Sequence, residues 1–357
     1  MRPVLFVTGH VPPERHPALR ELHDRERIEL ALFGGPDAHG APPGRPPPGV
    51  PSRAVSQADV GALVGSGDYR AVIVGTGGRV ALPAAWLAAR RVGLPFVFWA
   101  ALWRTPRTPA HVAGLPLMLW IYRDAAAVVT YGEHVSAYVA ARGARRIQIA
   151  PQAVDNDFWS IGAPVHREPG PLRVLFVGRP IPAKGQAVLL DAWARSRLAD
   201  AGATLTVVGV ADGRIAPGVV GVGVLDRGEI RNFYGSADVL AIPSIPTPEF
   251  VEPWGLVANE AMNQRTPIIT TDAVGAAAGG LLRHERNALV VPAGDPVALA
   301  AALVRLDQAP ELRARLADAG TRDVLAFTHS AWVDGFAAAL RTAGVGRDAQ
   351  RAWSNAG

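Results

Sequence analysis

Short apolar runs rich in β-branched residues recur along the whole chain, and segments that can form helices separate most of them. The second half contains six such runs, at residues 173–177, 204–208, 219–224, 238–242, 267–270 and 288–291. The first half contains six more, at residues 4–8, 28–33, 71–75, 95–99, 127–131 and 147–151. Strands that are apolar on both faces are typical of a parallel sheet covered by helices. The sequence therefore predicts an α/β fold with two Rossmann-like domains, which suits a chain of 357 residues.

The boundary between the two domains is predicted in the Pro- and Gly-rich segment 161–173. We assign residues 1–165 to an N-terminal domain, residues 166–340 to a C-terminal domain, and residues 341–357 to a tail near or on the N-terminal domain. The Pro-rich segment 34–52 is predicted to be an exposed loop of the first domain. A passive insertion is favoured for this loop over a lid, and its role stays open.

The chain contains no cysteine, which excludes disulfides, thiolate metal sites and a cysteine nucleophile. This composition suits a reducing compartment, so we expect a cytoplasmic protein. The apolar run at the N-terminus is too short for a signal peptide. The longest apolar run, VGLPFVFWAALW, is also shorter than the roughly 20 residues that a membrane span needs.

The positive charge lies in the first half of the chain. Residues 1–165 carry 17 arginines and 12 acidic residues, and the remaining residues carry 19 basic and 19 acidic groups. A general arginine bias is the favoured explanation. The alternative is attraction to an anionic membrane surface at the inner face of the membrane. The helix-like segment AGLPLMLWIYRDAAA is predicted to be buried, with a face toward lipid as the alternative. No basic run interleaved with aromatics points to nucleic acid.

Lys184 is the only lysine of the chain. It follows the first predicted strand of the second domain, five residues after Arg179. Ligands of open parallel sheets bind at the carboxyl ends of the strands. A guanidinium and an ammonium group at that edge would suit a doubly charged diphosphate. A chance surface lysine is the alternative.

The segment EPWGLVANEAM, from Glu252 to Met262, predicts a helix that begins near Gly255. Amide groups at a helix start attract anions, because they have no partner within the helix and the helix dipole is positive there. A carboxylate accepts hydrogen bonds from a ribose or sugar diol. Glu252 before the helix and Glu260 within it could therefore hold hydroxyl groups beside a bound phosphate.

Six motifs follow one another through roughly residues 172–305: VLFVGRPIPAKGQAVLLDAW, VVGVADG, EIRNFYGSADVLAIPS, EPWGLVANEAM, TPIITTDAVG and NALVVPAGDPVALAAAL. Their order and spacing resemble the retaining glycosyltransferases of the GT-B fold, family four, also called glycosyl transferases group 1. Residues 124–159 resemble the last helix–strand unit of that family's acceptor domain. The resemblance implies two Rossmann-like domains that face each other across a cleft.

Site roles follow from the resemblance, position by position. Arg179 and Lys184 would neutralise the donor diphosphate, Glu252 would contact the transferred sugar, and Glu260 would hold the ribose hydroxyls. Arg179, Lys184 and Glu252 are thus the expected catalytic residues. The other expected substrate contacts are Gly9, His10, Val224, Leu225, Trp254, Gly255, Leu256 and Val257, with backbone groups of Val224 and Leu225 directed at the base.

The chain departs from the family at three places. The first loop has one glycine, Gly9, where many members have a Gly-Gly pair. No histidine ends the strand near residue 99, and the first one after it is His111. The turn near residue 275 lacks the usual acidic residue. These differences concern recognition of the sugar and the acceptor rather than of the diphosphate.

The function that the resemblance implies is transfer of a hexose from a nucleoside-diphosphate sugar to a hydroxyl acceptor, with retention of configuration. The acceptor would be a glycan, a glycolipid or a small-molecule glycoside. No metal or other cofactor is expected. The acidic residues of VDNDFW, at 154–159, could suggest a metal site, but no histidine has matching ligand spacing. The alternatives are a nucleotide-sugar epimerase or hydrolase of the same fold, and a catalytically silent homologue that binds sugar nucleotides.

Overall fold

The computed structural model describes residues 2–34, 46–164 and 169–347, which contain two α/β units. The first unit consists of the described residues up to 105, residues 109–152 and the residues from 328 onward. The second consists of residues 153–327 together with 106–108. The boundaries between the two units thus follow residues 152 and 327. The sequence predicts domain limits at 165 and 340. Parts of the predicted 34–52 loop, of the 161–173 boundary and of the tail lie outside the described residues.

The first unit is built on a parallel sheet of seven strands in the order β3-β2-β1-β4-β5-β6-β7. The strands are β1 Val4–Thr8, β2 Ile28–Leu32, β3 Ser52–Ala54, β4 Ala71–Gly75, β5 Phe96–Ala100, β6 Ala127–Thr130 and β7 Ile147–Ile149. Strands β1 and β4 are buried along nearly their whole length, as expected for a sheet covered on both faces. The continuous apolar runs therefore correspond to strands, as the sequence predicts.

Helices cover both faces of this sheet. They are α1 His16–Glu26, α2 Val60–Val64, α3 Ala81–Val92, α4 Pro109–Asp124, α5 Glu133–Ala140 and α13 His329–Thr342. Helices α2 to α5 pack on one face and share one apolar core with it. Helices α1 and α13 pack on the other face, where Trp332 and Phe336 are fully buried. A segment that follows the second unit in the chain thus completes the core of the first.

Helix α4 differs from the prediction of a buried helix. Only Ile121 and Tyr122 are buried in it, and the side of the helix that carries Val112 and Trp120 is exposed. The prediction was wrong because the segment has no polar stripe by which an exposed face could be recognised. None of the helices in the described ranges is long and apolar enough to cross a membrane.

The second unit has a sheet of seven strands in the order β10-β11-β9-β8-β12-β13-β14. The strands are β8 Arg173–Val177, β9 Thr204–Val208, β10 Gly213–Ala216, β11 Val219–Gly221, β12 Val239–Ile242, β13 Ile268–Thr271 and β14 Ala288–Val291. All pairs are parallel except β10 with β11, which form an antiparallel pair at the edge. The helices are α6 Asn156–Ser160, α7 Gln186–Ser196, α8 Arg227–Ser236, α9 Val257–Asn263, α10 Gly275–Ala278, α11 Pro296–Gln308 and α12 Pro310–Val324.

Candidate functional site

The order of strands in the second sheet determines where a ligand would bind. Strand β8 lies between β9, which follows it in the chain, and β12, which comes later. The connections from these two central strands leave in opposite directions, which opens a crevice at their carboxyl ends. The turn after β8 and the loop after β12 meet there, and the predicted site residues of the second unit lie largely on these segments and on α9.

The turn after β8 is fixed in place by close backbone contacts. It contains a 3-10 turn, Pro182–Lys184, followed by Gly185 in the left-handed region with φ 70°. A Cβ atom on Gly185 would lie 1.8 Å from the carbonyl oxygen of Pro243, just after β12. The amide of Ile245 also donates to the carbonyl of Ala183, at 2.9 Å. Only glycine fits this position, and the position of Lys184 is therefore set by the backbone.

Lys184 and Glu252 form an ion pair, in which the ammonium group of Lys184 donates to Oε2 of Glu252. The hydroxyl of Ser244 donates to the same oxygen at 3.4 Å. The side chains of Lys184 and Glu252 are 20% and 8% exposed. Removing one partner from such a poorly solvated pair leaves an uncompensated charge. Two of the three residues predicted as catalytic thus lie in direct contact.

The loop that carries Glu252 is held by the start of α10. The amide of Gly275 donates to the carbonyl of Glu252 at 3.1 Å, and the amide of Ala276 donates to that of Trp254 at 2.8 Å. Gly255 has φ 90°, and a Cβ atom there would lie 3.7 Å from Cγ of Glu252. The backbone at Gly255 therefore lies close to the side chain of Glu252, which binds Lys184.

Helix α9 begins two residues later than predicted, at Val257, with Leu256 as its N-cap. Its first carbonyl acceptors are those of Gly255 and Leu256, which accept from the amides of Ala258 and Glu260. The amides of Gly255, Leu256 and Val257 lie before the first of these bonds. In general, the first amides of a helix have no partner within the helix. These three amides lie on the same short segment as Glu252.

Glu260 is half-buried on α9, and its Oε2 accepts a hydrogen bond of 2.7 Å from the hydroxyl of Tyr234 on α8. Tyr234 is fully buried. Burial, and next the nearby carboxylate of Glu260, raise the pKa of Tyr234 well above its usual value. The phenol therefore stays protonated and donates to Glu260 over the whole physiological pH range.

Three other predicted residues lie at the same edge of the second sheet. Arg179 is half-buried, two residues beyond the end of β8. Val224 is 90% exposed, and Leu225 follows it in the segment between β11 and α8. Asp226 then caps α8 by accepting from the amide of Glu229. Val224 therefore lies at the surface, just before the cap of α8.

The structure contradicts the predicted sugar contact of Trp254. Its side chain is 3% exposed, and its ring packs against Phe327 with centroids 5.7 Å apart. The indole nitrogen donates to Oδ1 of Asn259 at 2.8 Å. Because both the ring face and the polar atom are used inside the unit, Trp254 holds the loop against α9 rather than a ligand.

Gly9 and His10 belong to the first unit, at the carboxyl end of β1. Strand β1 lies between β2 and β4, so this is the point where the connections of the first sheet diverge. A Cβ atom on Gly9 would lie 2.9 Å from the ring of Phe33, which gives this glycine a packing role. His10 is partly exposed at the same edge.

One of the acidic residues that could suggest a metal site, Asp155, caps a helix. Oδ1 of Asp155 accepts from the amide of Phe158 at 3.0 Å and caps α6. Among the described residues no group of three or more His, Asp or Glu side chains could hold a metal ion.

Two residues that have no role predicted from the sequence support the site. Ser244 donates to Glu252, and Tyr234 donates to Glu260. Both lie in the motif EIRNFYGSADVLAIPS. The motif is recognisable in the sequence, but the contacts of its polar side chains depend on how α8, α9 and β12 pack together.

Residues 171–308 match the family model described as Glycosyl transferases group 1. The D-inositol 3-phosphate glycosyltransferase of Segniliparus rotundus is 31% identical over 234 residues, which are 59% of this chain and 50% of the relative. The phosphatidyl-myo-inositol mannosyltransferase of Mycobacterium leprae is 35% identical over 160 residues, 42% of this chain and 41% of the relative. The chain thus aligns with about half the length of these curated relatives or less.

Solved structures resemble the chain over nearly its whole length. Alr3699/HepE of Anabaena in complex with UDP and glucose has a TM-score of 0.70 at 18% identity and covers 96% of this chain and 100% of its own. The α,α-trehalose 6-phosphate synthase of Burkholderia multivorans has a TM-score of 0.74 at 14% identity and covers 96% and 97%. At such identities the likeness establishes the fold. The chain therefore has the GT-B fold, and its residues 171–308 match the Glycosyl transferases group 1 family model.

Proposed function

We propose that the protein transfers a hexose from a nucleoside-diphosphate sugar to a hydroxyl acceptor, with retention of configuration and without a metal ion. The observation that carries the proposal is the ion pair between Lys184 and Glu252, at the carboxyl ends of β8 and β12. In this poorly solvated contact, the cation can bind the diphosphate of the donor, and the carboxylate can accept a hydrogen bond from its sugar. The match of residues 171–308 to the Glycosyl transferases group 1 model supports the same assignment.

Lys184 is the group that stabilises the leaving diphosphate in this proposal. Its side chain is four-fifths buried, so a nearby anion is screened less by water than at an exposed site. Arg179, at the end of β8, adds a guanidinium group at the same edge. The amides that precede α9 add backbone donors. Preorganised charges of this kind typically contribute about 100-fold to 1000-fold in kcat each.

The two carboxylates have separate roles. Oε2 of Glu252 accepts hydrogen bonds from Lys184 and Ser244, and we assign its Oε1 to a hydroxyl of the sugar. Glu260 bonds to Tyr234 through Oε2, and we assign its other oxygen to a ribose hydroxyl. Neither glutamate is assigned as a covalent nucleophile. The new bond forms between the acceptor oxygen and the anomeric carbon on the face that the diphosphate leaves, and a phosphate oxygen takes the acceptor proton.

The relatives suggest which compounds to test first. The Anabaena protein was crystallised with UDP and glucose, and inositol phosphate appears in the name of the Segniliparus enzyme. We therefore place uridine diphosphate sugars first among donors, and polyol phosphates among hydroxyl acceptors. The basic first half of the chain supports a peripheral contact with an anionic membrane surface as a further part of the proposal.

The first experiment is a thermal-shift comparison of UDP, GDP and ADP, followed by a donor-hydrolysis screen with sugars of the nucleotide that binds. A ligand at 100 times its Kd stabilises the folded state by about 2.7 kcal/mol, so one nucleotide should raise Tm clearly. NMR of the product then shows whether the anomeric configuration is retained. No shift with any nucleoside diphosphate would contradict the proposal.

The second experiment separates catalysis from stability. We expect Lys184→Met and Glu252→Gln each to lower kcat/KM for transfer by about 100-fold or more. Lys184→Met should also lower Tm, because Glu252 keeps its charge without this partner. The double variant should recover Tm but not activity. Arg305→Met is the matched control, because it breaks an exposed ion pair with Glu285 in the same unit.

The outcomes distinguish a transferase from an epimerase or hydrolase and from a silent homologue. Transfer by Lys184→Met and Glu252→Gln at near-normal rates would show that the site is assigned wrongly. Conversion of the donor that gives no transfer product even when hydroxyl acceptors are supplied would favour an epimerase or a hydrolase. Nucleotide binding without turnover of any donor would favour a silent homologue.

A further inference from the structure

Helix α4 of the first unit presents an apolar face to solvent. Its first 14 residues, PAHVAGLPLMLWIY, contain no aspartate, glutamate, lysine or arginine. Only Ile121 and Tyr122 of the helix are buried. A surface helix of a soluble domain normally has a charged or polar outer face. This helix therefore has the composition of a buried helix in an exposed position.

The exposed apolar residues form one stripe. Val112, Pro116 and Trp120 follow each other at four-residue spacing, which places them on one side of the helix. Val112 is 62% exposed and Trp120 is 58% exposed. Ala113 is exposed beside Val112. One turn after Trp120 the stripe ends at an exposed arginine, Arg123.

Arginines surround the end of this stripe. Arg90, at the end of α3, lies 3.6 Å from Asp124, at the end of α4. A Cβ atom on Gly143, just after α5, would lie 2.5 Å from Cγ of Arg123. The ends of α3, α4 and α5 are therefore neighbours. The exposed arginines on the ends of α3 and α4 and just before β7, which we call the arginine rim, are Arg90, Arg91, Arg123, Arg145 and Arg146.

The surrounding sequence is strongly cationic. Residues 70–146 contain ten arginines and two acidic residues, a formal charge of +8. One of the two acidic residues, Asp124, accepts from the indole nitrogen of Trp86 at 2.8 Å and pairs with Arg90. The excess of positive charge in the first half of the chain is thus concentrated in the segment that carries α3, α4 and α5.

We propose that the α4 stripe and the arginine rim form a docking face for the surface of an anionic lipid bilayer. Exposed apolar residues and a tryptophan enter the interface between headgroups and acyl chains, and arginines beside them attract anionic headgroups. Charge complementarity selects this partner. A second copy of the chain would bring two arginine rims together, and like charges oppose such a contact.

This inference rests on the membrane contact in the proposed function and names the residues that make it. It does not depend on donor binding, because every residue of the docking face lies in the first unit. Lys184, Glu252 and Glu260 belong to the second unit. Vesicle binding and nucleotide binding can therefore be measured separately on the same protein.

The test is vesicle flotation of the full chain. Vesicles of phosphatidylcholine alone are compared with vesicles that also contain phosphatidylglycerol. We expect the protein to float with the anionic vesicles only. High salt should weaken this binding, because the Debye length falls to about 3 Å at 1 M ionic strength. Binding to neither kind of vesicle, or equal binding to both, would overturn the proposal.

Two variants test the arginine rim and the α4 stripe separately. Removing three charges by Arg123→Gln, Arg145→Gln and Arg146→Gln should weaken binding by about 100-fold, since each arginine near a charged surface contributes about 1 kcal/mol. Val112→Gln with Trp120→Gln should weaken it while the salt dependence is kept. The matched control is Leu325→Gln with Arg197→Gln, two exposed residues of the second unit.

Two further measurements control for a loss of nucleotide binding and for a change in oligomeric state. The nucleotide-induced thermal shift should be the same in all these variants, so that a failure of the donor site is recognised as such. Light scattering gives their oligomeric state. If the α4 variants change the oligomeric state but not vesicle binding, the face is a contact between proteins and the proposal is wrong.

Discussion

In the second unit, the role of a polar side chain depends on the residue to which it is hydrogen-bonded. Glu260 accepts from Tyr234, which is buried and held in its protonated form. The carboxylate of Glu260 is half-buried, so its orientation depends on that hydrogen bond. Tyr234 is therefore a positioning residue in the proposed donor site. It acts through Glu260 and need not touch the donor.

Tyr234→Phe tests this role while it keeps the buried ring. We expect KM for the donor to rise by about tenfold or more with little change in kcat, because a hydrogen bond to a charged group contributes about 1.5–3 kcal/mol. The preference for UDP over 2′-deoxy-UDP should fall as well, since Glu260 would hold the ribose less firmly. The ratio of the two Kd values is the decisive measurement. If Tyr234→Phe leaves that ratio unchanged, Tyr234 has only a packing role.

At the scale of the element, the turn between β8 and α7 depends on one glycine. Gly185 has φ 70° and no space for a Cβ atom beside the carbonyl oxygen of Pro243. Gly294 has a similar φ of 78° but nothing within 4 Å of the position of a Cβ atom. Alanine variants of these two glycines therefore separate the cost of backbone strain from the cost of a steric clash.

Gly294→Ala should cost about 1–3 kcal/mol of the free energy of unfolding, the usual cost of a left-handed non-glycine residue. Gly185→Ala should cost more and should also weaken nucleotide binding, because the turn must move and Lys184 moves with it. Urea denaturation and nucleotide titration measure both effects. Equal losses in the two variants, with normal nucleotide binding in Gly185→Ala, would mean that the turn is not fixed in the way described.

Most elements of both sheets were predictable because their strands are apolar on both faces. The predicted runs 4–8, 71–75 and 204–208 coincide with β1, β4 and β9. Strands β3 and β10 were missed. Each lies at a sheet edge, and the residues of both are exposed apart from the partly exposed Ala216, so neither shows a run of buried residues. The structure of these two strands depends on pairing with a neighbour, which their local sequence does not record.

Part of the geometry of the candidate site was predictable from its motifs. Lys184 and Glu252 lie in motifs with a recognisable order, and the structure brings them into contact. Trp254 was misjudged because an aromatic residue next to a glycine in a ligand-binding loop has the same sequence pattern whether its ring is buried or exposed. Tyr234 and Ser244 were not assigned, since their hydrogen bonds depend on how separate elements pack together.

At the scale of the whole molecule, the chain returns to the unit in which it began. Helix α13, His329–Thr342, packs on the first sheet after the second unit is complete. Phe336 contacts Phe6 and Trp99, with ring centroids 5.6 Å and 5.5 Å away. The stability of the first unit therefore depends on residues that follow the second unit in the chain.

Phe336→Ala should destabilise the first unit by about 3–5 kcal/mol, because it leaves a cavity in a fully buried aromatic cluster. Hydrogen exchange followed by mass spectrometry should show faster exchange in β1, β5 and α1 and little change in β9 or β13. Leu306→Ala, in the core of the second unit, should give the opposite pattern. The same pattern in both variants would show that the two units do not unfold separately.

The chain has a single side-chain amine, on Lys184, and that amine lies at the centre of the proposed donor site. An amine-selective acylating reagent therefore has one side-chain amine to modify in this chain, besides the α-amino terminus. Mass spectrometry could read occupancy of the site from the yield of that one adduct, with no engineered tag. A lysine-specific protease would likewise cut the chain at one place, after residue 184, and protection of that bond would report on the same site.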